Sequence, residues 1–231
     1  MPLTVVGCAG SAPAPDSTCS CYLVEADDFG LLLDLGPGSS GPLQRYVAPE
    51  AVDLVILSHA HSDHFADLSQ IPRLREETTT LPLRVIGPSD MPEWLPSHPD
   101  LFTASVATDE PFAAGPMRLR LARVDHGECW ATRIDDALCY TADTSPCAAL
   151  DDLAAGCRVL LAEASGLDED GPIPRHLTAG DAGRLAARSG SRLLILTHLR
   201  PWQDHRRLLA EAAAIADCPV ILAQPGLRVA L

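Results

Sequence analysis

The run Val52-Asp53-Leu54-Val55-Ile56-Leu57-Ser58, followed at once by His59-Ala60-His61-Ser62-Asp63-His64, constrains the fold of this chain more than any other stretch. Its first part is short, β-branched and almost continuously apolar, the pattern of a strand buried on both faces of a helix-covered sheet. In such sheets ligands gather beyond the carboxyl ends of the strands, and the histidines stand there. Three imidazoles and a carboxylate, with no thiolate, suit a catalytic rather than a structural zinc, or one of its first-row neighbours. His59 and His61, two apart, point the same way from an extended backbone, whereas Asp63 and His64 are adjacent and diverge. The spacing predicts ligands for two ions.

Elsewhere strands and helices alternate. Residues 3–7 read as a first strand, and 22–26 with 31–35 as a hairpin turned at Asp27-Asp28-Phe29-Gly30. Phe65, Leu68, Ile71 and Leu74 predict a helix over 65–76, with Pro72 shortening or kinking it. The stretch 81–99 carries Pro82, Pro88, Pro92, Pro96 and Pro99; only 83–86 reads as a strand, and the remainder is expected to loop over the site. Further strands are expected at 117–124, 158–162, 192–197, 220–223 and 227–231, and a second hairpin from 132–134 and 137–140. Helices are expected over 179–188 and 206–216, the first opened by the capping pair Thr178 and Asp181. No low-complexity linker divides the 231 residues, so one domain over 1–231 is expected.

Residues 53–59 and 192–198 share one construction: apolar strand, hydroxyl residue, histidine. A duplicated half would place His59 and His198 at equivalent strand ends facing one cleft; the competing explanation is that buried strands resemble each other. His126 follows the strand 117–124, and Asp143 lies just beyond another strand in Tyr140-Thr141-Ala142-Asp143-Thr144. Each is a metal-type ligand at a strand end.

A formal charge of −14 argues against a general nucleic-acid binder, because phosphate contacts need a basic surface. It leaves room for a small phosphate substrate, since divalent ions invert the local field. No run approaches the roughly 18 apolar residues of a membrane span, and the first residues lack the order of a signal peptide. The eight cysteines include no C-x-x-C pair and read as reduced thiols, which fits a cytoplasmic location.

From the first strand to the last, these segments resemble the metallo-β-lactamase-fold hydrolases. The family signature H-x-H-x-D-H is residues 59–64; its third-motif histidine matches His126, its bridging aspartate Asp143 and its last histidine His198. The resemblance implies an α+β fold, a four-layer αβ/βα sandwich of two mixed sheets with helices outside. It also implies two divalent ions, zinc first and manganese as the alternative. One would sit on His59, His61 and His126, the other on Asp63, His64 and His198, with Asp143 bridging both.

Within that superfamily the chain is similar to the branch that holds tRNA 3′-processing endonucleases (ribonuclease Z) and bacterial cyclic-nucleotide phosphodiesterases. Gly7-Cys8-Ala9-Gly10-Ser11-Ala12-Pro13 resembles that branch's opening loop, and 124–134 its third motif, with Ala131 where glycine is usual. Thr141-Ala142-Asp143-Thr144 resembles S-G-D-T. His176-Leu177-Thr178-Ala179 resembles the H-x-T segment whose histidine assists the leaving group. The tRNA enzyme's protruding arm has no room between Asp143 and His176, and the acidic balance is wrong for a folded RNA. Segments 43–46 and 197–202 look most like actinobacterial cyclic-AMP-type phosphodiesterases. The expected activity is hydrolysis of a small phosphodiester, a cyclic nucleotide foremost, by a hydroxide bridging two metals. Asp63 would orient that nucleophile as well as ligate, and His176 would serve the departing oxygen. The alternatives are ribonuclease Z-like tRNA processing and hydrolysis of lactones or thioesters. Arg200 is a candidate phosphate contact; Trp94, Trp130 and Trp202 are read as packing. No membrane or nucleic-acid partner is expected, and the resemblance is compatible with a homodimer.

Overall fold

Side-chain alternation sets the layers. The computed structural model describes residues 1–91, 95 and 97–231. Strands β1 (Pro2–Gly7), β2 (Cys21–Ala26), β3 (Phe29–Leu33) and β4 (Val52–Ile56) send Val5, Tyr22, Leu31, Leu33, Leu54 and Ile56 into one apolar cluster. Their neighbours Val6, Leu23, Leu32 and Val55 enter a second. Successive strand residues face opposite sides, so this sheet is apolar on both faces and must be covered twice. Helices α1 (Ser40–Leu43), α2 (Ser62–Phe65) and α3 (Ile71–Arg75) follow its strands, and Leu43 and Ile71 join the second cluster. The first cluster is shared with the other sheet.

That sheet is built from β7 (Phe112–Ala114), β8 (Met117–Val124), β9 (Cys129–Ile134), β10 (Leu138–Tyr140), β11 (Val159–Glu163), β12 (Leu193–Thr197) and β13 (Val220–Leu222). Helices α4 (Ala148–Ala154), α5 (Ala179–Ser189) and α6 (His205–Ile215) pack on it. The first sheet is completed by β5 (Leu83–Gly87), β6 (Phe102–Val106) and β14 (Arg228–Ala230). The strand orders are β14-β1-β2-β3-β4-β5-β6 and β7-β8-β9-β10-β11-β12-β13. In each, the first four strands pair antiparallel and the last four parallel. The four-layer sandwich of two mixed sheets is therefore the observed architecture, and each parallel half aims its strand ends at one edge of the molecule. Among the described residues no helix is long and apolar enough to cross a membrane.

The matching orders also correct the expectation about residues 53–59 and 192–198. Position by position, β4 corresponds to β11 and β12 to β5. His59 and His198 thus leave non-equivalent strands, and their similar approach runs reflect what any strand buried on both faces requires.

The helix expected over 65–76 is broken into α2, a 3-10 turn at Ala66–Ser69, and α3. Pro72 has no N–H and its ring collides with the carbonyl four residues earlier, so the chain restarts with proline in the first turn of α3. The first hairpin turn is only Asp27-Asp28, because Phe29 and Gly30 already pair with Ala26 and Glu25. The segment expected to loop over the site does not do so where it is described. Leu95 is instead buried in the second cluster, His98 lines a groove with Pro72 and Arg73, and β6 continues the sheet. Pro92, Trp94 and Pro96 lie outside the described residues. Helix α5 has the expected capping box, Asp181 N–H donating to Thr178 Oγ1 at 3.0 Å and Thr178 N–H to Asp181 Oδ2 at 3.2 Å.

Candidate di-metal centre

Beyond β4 the chain turns sharply, and the turn is fastened from below by Asp34. This residue follows β3 with φ +59° and is fully buried. Its carboxylate accepts from Ser58 N–H (2.7 Å), Ser58 Oγ (2.8 Å), Tyr140 Oη (2.8 Å) and His64 Nδ1 (2.8 Å). Having donated to Asp34, the Ser58 hydroxyl accepts from His59 Nδ1 at 2.9 Å. One carboxylate thereby orients two imidazoles. His61 precedes α2 on an extended backbone, which lets Asp63 and His64 occupy the helix's first turn.

The remaining rings are fixed in the same sense. His126 Nδ1 donates to the Arg175 carbonyl at 2.6 Å, and Arg175 holds a left-handed φ of +64°. Ser165 Oγ donates to Glu163 Oε2 at 2.7 Å and stands 3.4 Å from His198 Nδ1. Partners that only accept, or whose proton is already committed, assign Nδ1–H tautomers to His59, His64, His126 and His198. Each then turns the lone pair of Nε2 toward the centre, the outer-shell arrangement usual for metal-bound histidine.

The donors converge. His61 Nδ1 lies 3.0 Å from His59 Nε2 and 3.2 Å from His126 Nε2; Asp143 Oδ2 is 3.8 Å and 4.0 Å from those two Nε2 atoms. Asp63 Oδ2 lies 3.2 Å from His198 Nε2 and 3.5 Å from His64 Nε2. Asp143 is 3.4 Å and 3.5 Å from the same pair. Bonds of roughly 2.0–2.1 Å around a tetrahedral ion place neighbouring donors about 3.3 Å apart, so both groups have the size such an ion needs. Among the described residues, two buried atoms, His64 Nε2 and Asp143 Oδ1, have no hydrogen-bond partner, which a cation between them would remedy. The residues present fit the metals that the donor set calls for.

Electrostatics follow the same division. Burial, reinforced by His64, pushes His59 well below the ordinary histidine range; burial likewise lowers His126, against the pull of the Arg175 carbonyl. Neutral rings are the ligating form. Burial opposes charge on His64 and His198 more than any single neighbour favours it, but carboxylates together outweigh it and raise both, Asp143 with Asp34 at His64 and Asp143 with Asp63 at His198. Burial would raise Asp143, yet His198 and His64 hold it well below the usual carboxylate range. Asp63 is depressed in the same way, burial being overcome by His198 and His64.

His176 lies closer to this set than a residue merely leaning over the cleft. Its Nδ1 donates to Glu163 Oε2 at 2.9 Å and is 3.7 Å from Asp143 Oδ2. Asp143, Glu163, His176 and His198 form a third group able to hold an ion. Trp130 is buried in the core, as read, while Trp202 is exposed. A cavity of about 530 Å³ bounded by Arg118, Arg120, Arg133 and Asp152 contains none of the site residues; Arg133 there is spent on the Leu153 and Ala155 carbonyls.

Asp34 and Glu163 escaped the sequence reading. Their only signal was an acidic residue at the end of an apolar strand, which equally describes a solvated turn.

Comparison with known proteins agrees with this geometry. The β-lactamase superfamily domain matches residues 31–199. An uncharacterised protein of Mycobacterium leprae is 38% identical, covering 94% of this chain and 84% of its own length. The probable metallo-hydrolase YhfI of Bacillus subtilis is 31% identical over 98% of both chains. The crystal structure of YhfI superposes with a TM-score of 0.92 at 29% identity, covering 99% of this chain and 98% of that one. A diphosphatase of the PhnP family follows at 0.83 and 18%, covering 100% and 97%. The short form of human tRNase Z stands at 0.80 and 16%, covering 100% and 99%; these last two likenesses concern the fold. With the signature residues gathered at one sheet edge and a family match across most of its length, the chain belongs to the β-lactamase superfamily, as a metal-dependent hydrolase of the metallo-β-lactamase fold.

Proposed function

We propose that this hydrolase cleaves a small phosphodiester, foremost a cyclic nucleotide. The observation that carries the reading is the Glu163–His176 pair, whose 2.9 Å hydrogen bond fixes Nδ1 as the donor and leaves Nε2 for the substrate. The diphosphatase and tRNase Z named among the structural neighbours act on phosphate esters or anhydrides by their names, which supports the same class. His59, His61 and His126 would hold one ion and Asp63, His64 and His198 the other, zinc by preference for this donor set, with Asp143 shared. Two ions held there would supply charge neutralisation at phosphoryl oxygens and acidify water. Asp63, ligating on one side, orients the attacking oxygen on the other. His176 gives its Nε2 proton to the departing oxygen, and Glu163 stabilises the ring while it is charged.

A lactone or thioester needs the ions but no proton at a poor alkoxide leaving group, so His176 is where the classes part. His176→Ala should keep both metals and lower kcat on a cyclic nucleotide by about 10²–10⁴-fold, the usual worth of a general acid. On bis-p-nitrophenyl phosphate, whose leaving group needs no proton, the loss should nearly vanish. Equal losses on both substrates would refute the role, and faster turnover of a thioester or lactone than of either diester would refute the class.

A further inference from the structure

Beside His176 lies a half-open cavity of about 380 Å³, a volume in the range of small-ligand sites. One wall is the turn after Asp143, with Ser145 and Pro146; another is Gly171-Pro172-Ile173-Pro174; the floor is Thr178, Asp181 and Arg184 at the start of α5, with Asp168 beyond. His176 belongs to the same lining, so the space begins at the residue that serves the departing oxygen.

The floor is rigid and its charge does not cancel. Arg184 donates through Nη1 and Nη2 to Asp168 at 2.8 Å and 3.0 Å, and through Nη2 to Asp181 at 2.7 Å. Thr178 Oγ1 donates to Asp168 Oδ1. From behind, the Glu211 carboxylate accepts from the Asp168 and Gly180 amides at 3.1 Å and 2.8 Å. Two lining carboxylates face one guanidinium, and Glu211 adds a third negative charge nearby. Arg184, committed to those carboxylates, is a poor receiver for a phosphate. Pro146, Pro172 and Pro174 have no N–H to donate, and the Ser145 and Gly171 amides are spent on the Asp125 and Asp168 carbonyls.

We propose that this cavity seats the leaving group and selects an uncharged or cationic alcohol bearing hydroxyl or amine donors, such as the nucleoside part of a cyclic nucleotide, over one that carries another phosphate. The assignment rests on the phosphodiesterase reading. Hydrolysis there breaks the phosphorus–oxygen bond, gives water's hydroxyl to phosphorus, and leaves the alcohol with a proton from His176, which water's second proton restores.

The test compares kcat/KM of the metal-loaded enzyme for two methyl aryl phosphodiesters, one with a para-trimethylammonium and one with a para-phosphonate leaving group. The ratio of cation to anion should fall about fivefold in Asp181→Asn, whose amide oxygen can keep the helix cap, and rise about fivefold in Arg184→Gln, the effect of one charge several ångströms away in a wet site. Comparing variants cancels the intrinsic reactivity of the two esters. A ratio unchanged in Asp181→Asn overturns the proposal even if Arg184→Gln fails to fold. If the diesters resist but aryl acetates with the same leaving groups are cleaved in a metal-dependent way, the ratio is read on those, and only the phosphodiesterase reading falls. Cleavage of neither overturns both.

Discussion

Asp34 takes four donors from three elements, and no other acceptor can replace it without moving β4, β10 or α2. An asparagine there would offer one oxygen and point an amide N–H₂ at donors. Asp34→Asn should therefore weaken metal binding by about 10–100-fold, the usual cost of losing an outer-shell partner, as measured by competition with a chelator. Wild-type affinity would mean that Asp34 serves the fold alone. Asp143 differs, because its two oxygens stand near donors of both groups. Asp143→Ala should lower metal content in elemental analysis and drop activity by several orders of magnitude together; full occupancy at a near-normal rate would contradict a shared ligand. The candidate ligands were legible because imidazoles and carboxylates at strand ends are chemically distinctive. Asp34 and Glu163 were not, since only burial separates an anchoring carboxylate from an ordinary polar turn, and burial is set by the rest of the fold.

At the level of elements, strands with strong alternation or a continuous apolar run were predictable, while β6, β7 and α4 were not. β6 and β7 are short edge strands whose pairing partners, rather than their own residues, define them. Helix α4 spans only seven residues, too few for a clear period. The opening loop carries a constraint that sequence spacing also hides. Its backbone bonds the end of β12, Leu199 N–H donating to the Cys8 carbonyl at 2.8 Å and Gly10 N–H to the Leu199 carbonyl at 3.2 Å. A Cβ on Gly10 would lie 2.1 Å from His198 Cδ2 and 2.2 Å from Nε2, closer than atoms tolerate. Gly10→Ala must push the imidazole or the loop aside. We expect a folded protein that loses the ion of the Asp63–His64–His198 group first, seen as one metal per chain where wild type has two. Gly41→Ala, where an added Cβ meets nothing within 4 Å, is the control. Two metals retained in Gly10→Ala would show that the loop yields without disturbing His198.

For the whole molecule, the two halves share a strand plan, yet the candidate ligands are unevenly drawn from them. The turn after β4 supplies four, and the segments after β8, β10 and β12 supply one each. Between Asp143 and His176 the chain builds α4, β11 and a 3-10 turn at Asp168–Asp170, so every stretch of that interval long enough to protrude is occupied by the second sheet, its helix or the walls of the cavity beside His176. The net charge of −14 works in the same direction, because a folded RNA would have to approach against a long-range field of its own sign. Two divalent ions would soften that field at the centre, where we propose that a small diester binds, but not across the wide surface that a tRNA needs. The ribonuclease-like alternative is thus exposed to a direct measurement. A precursor tRNA should show no retarded complex with the metal-loaded enzyme even at about 50 mM salt, where phosphate contacts are strongest, and no 3′ trimming at enzyme concentrations that exhaust a small diester. A complex that weakens steeply with added salt, together with trimming, would put the RNA-processing alternative in first place and remove the argument from charge.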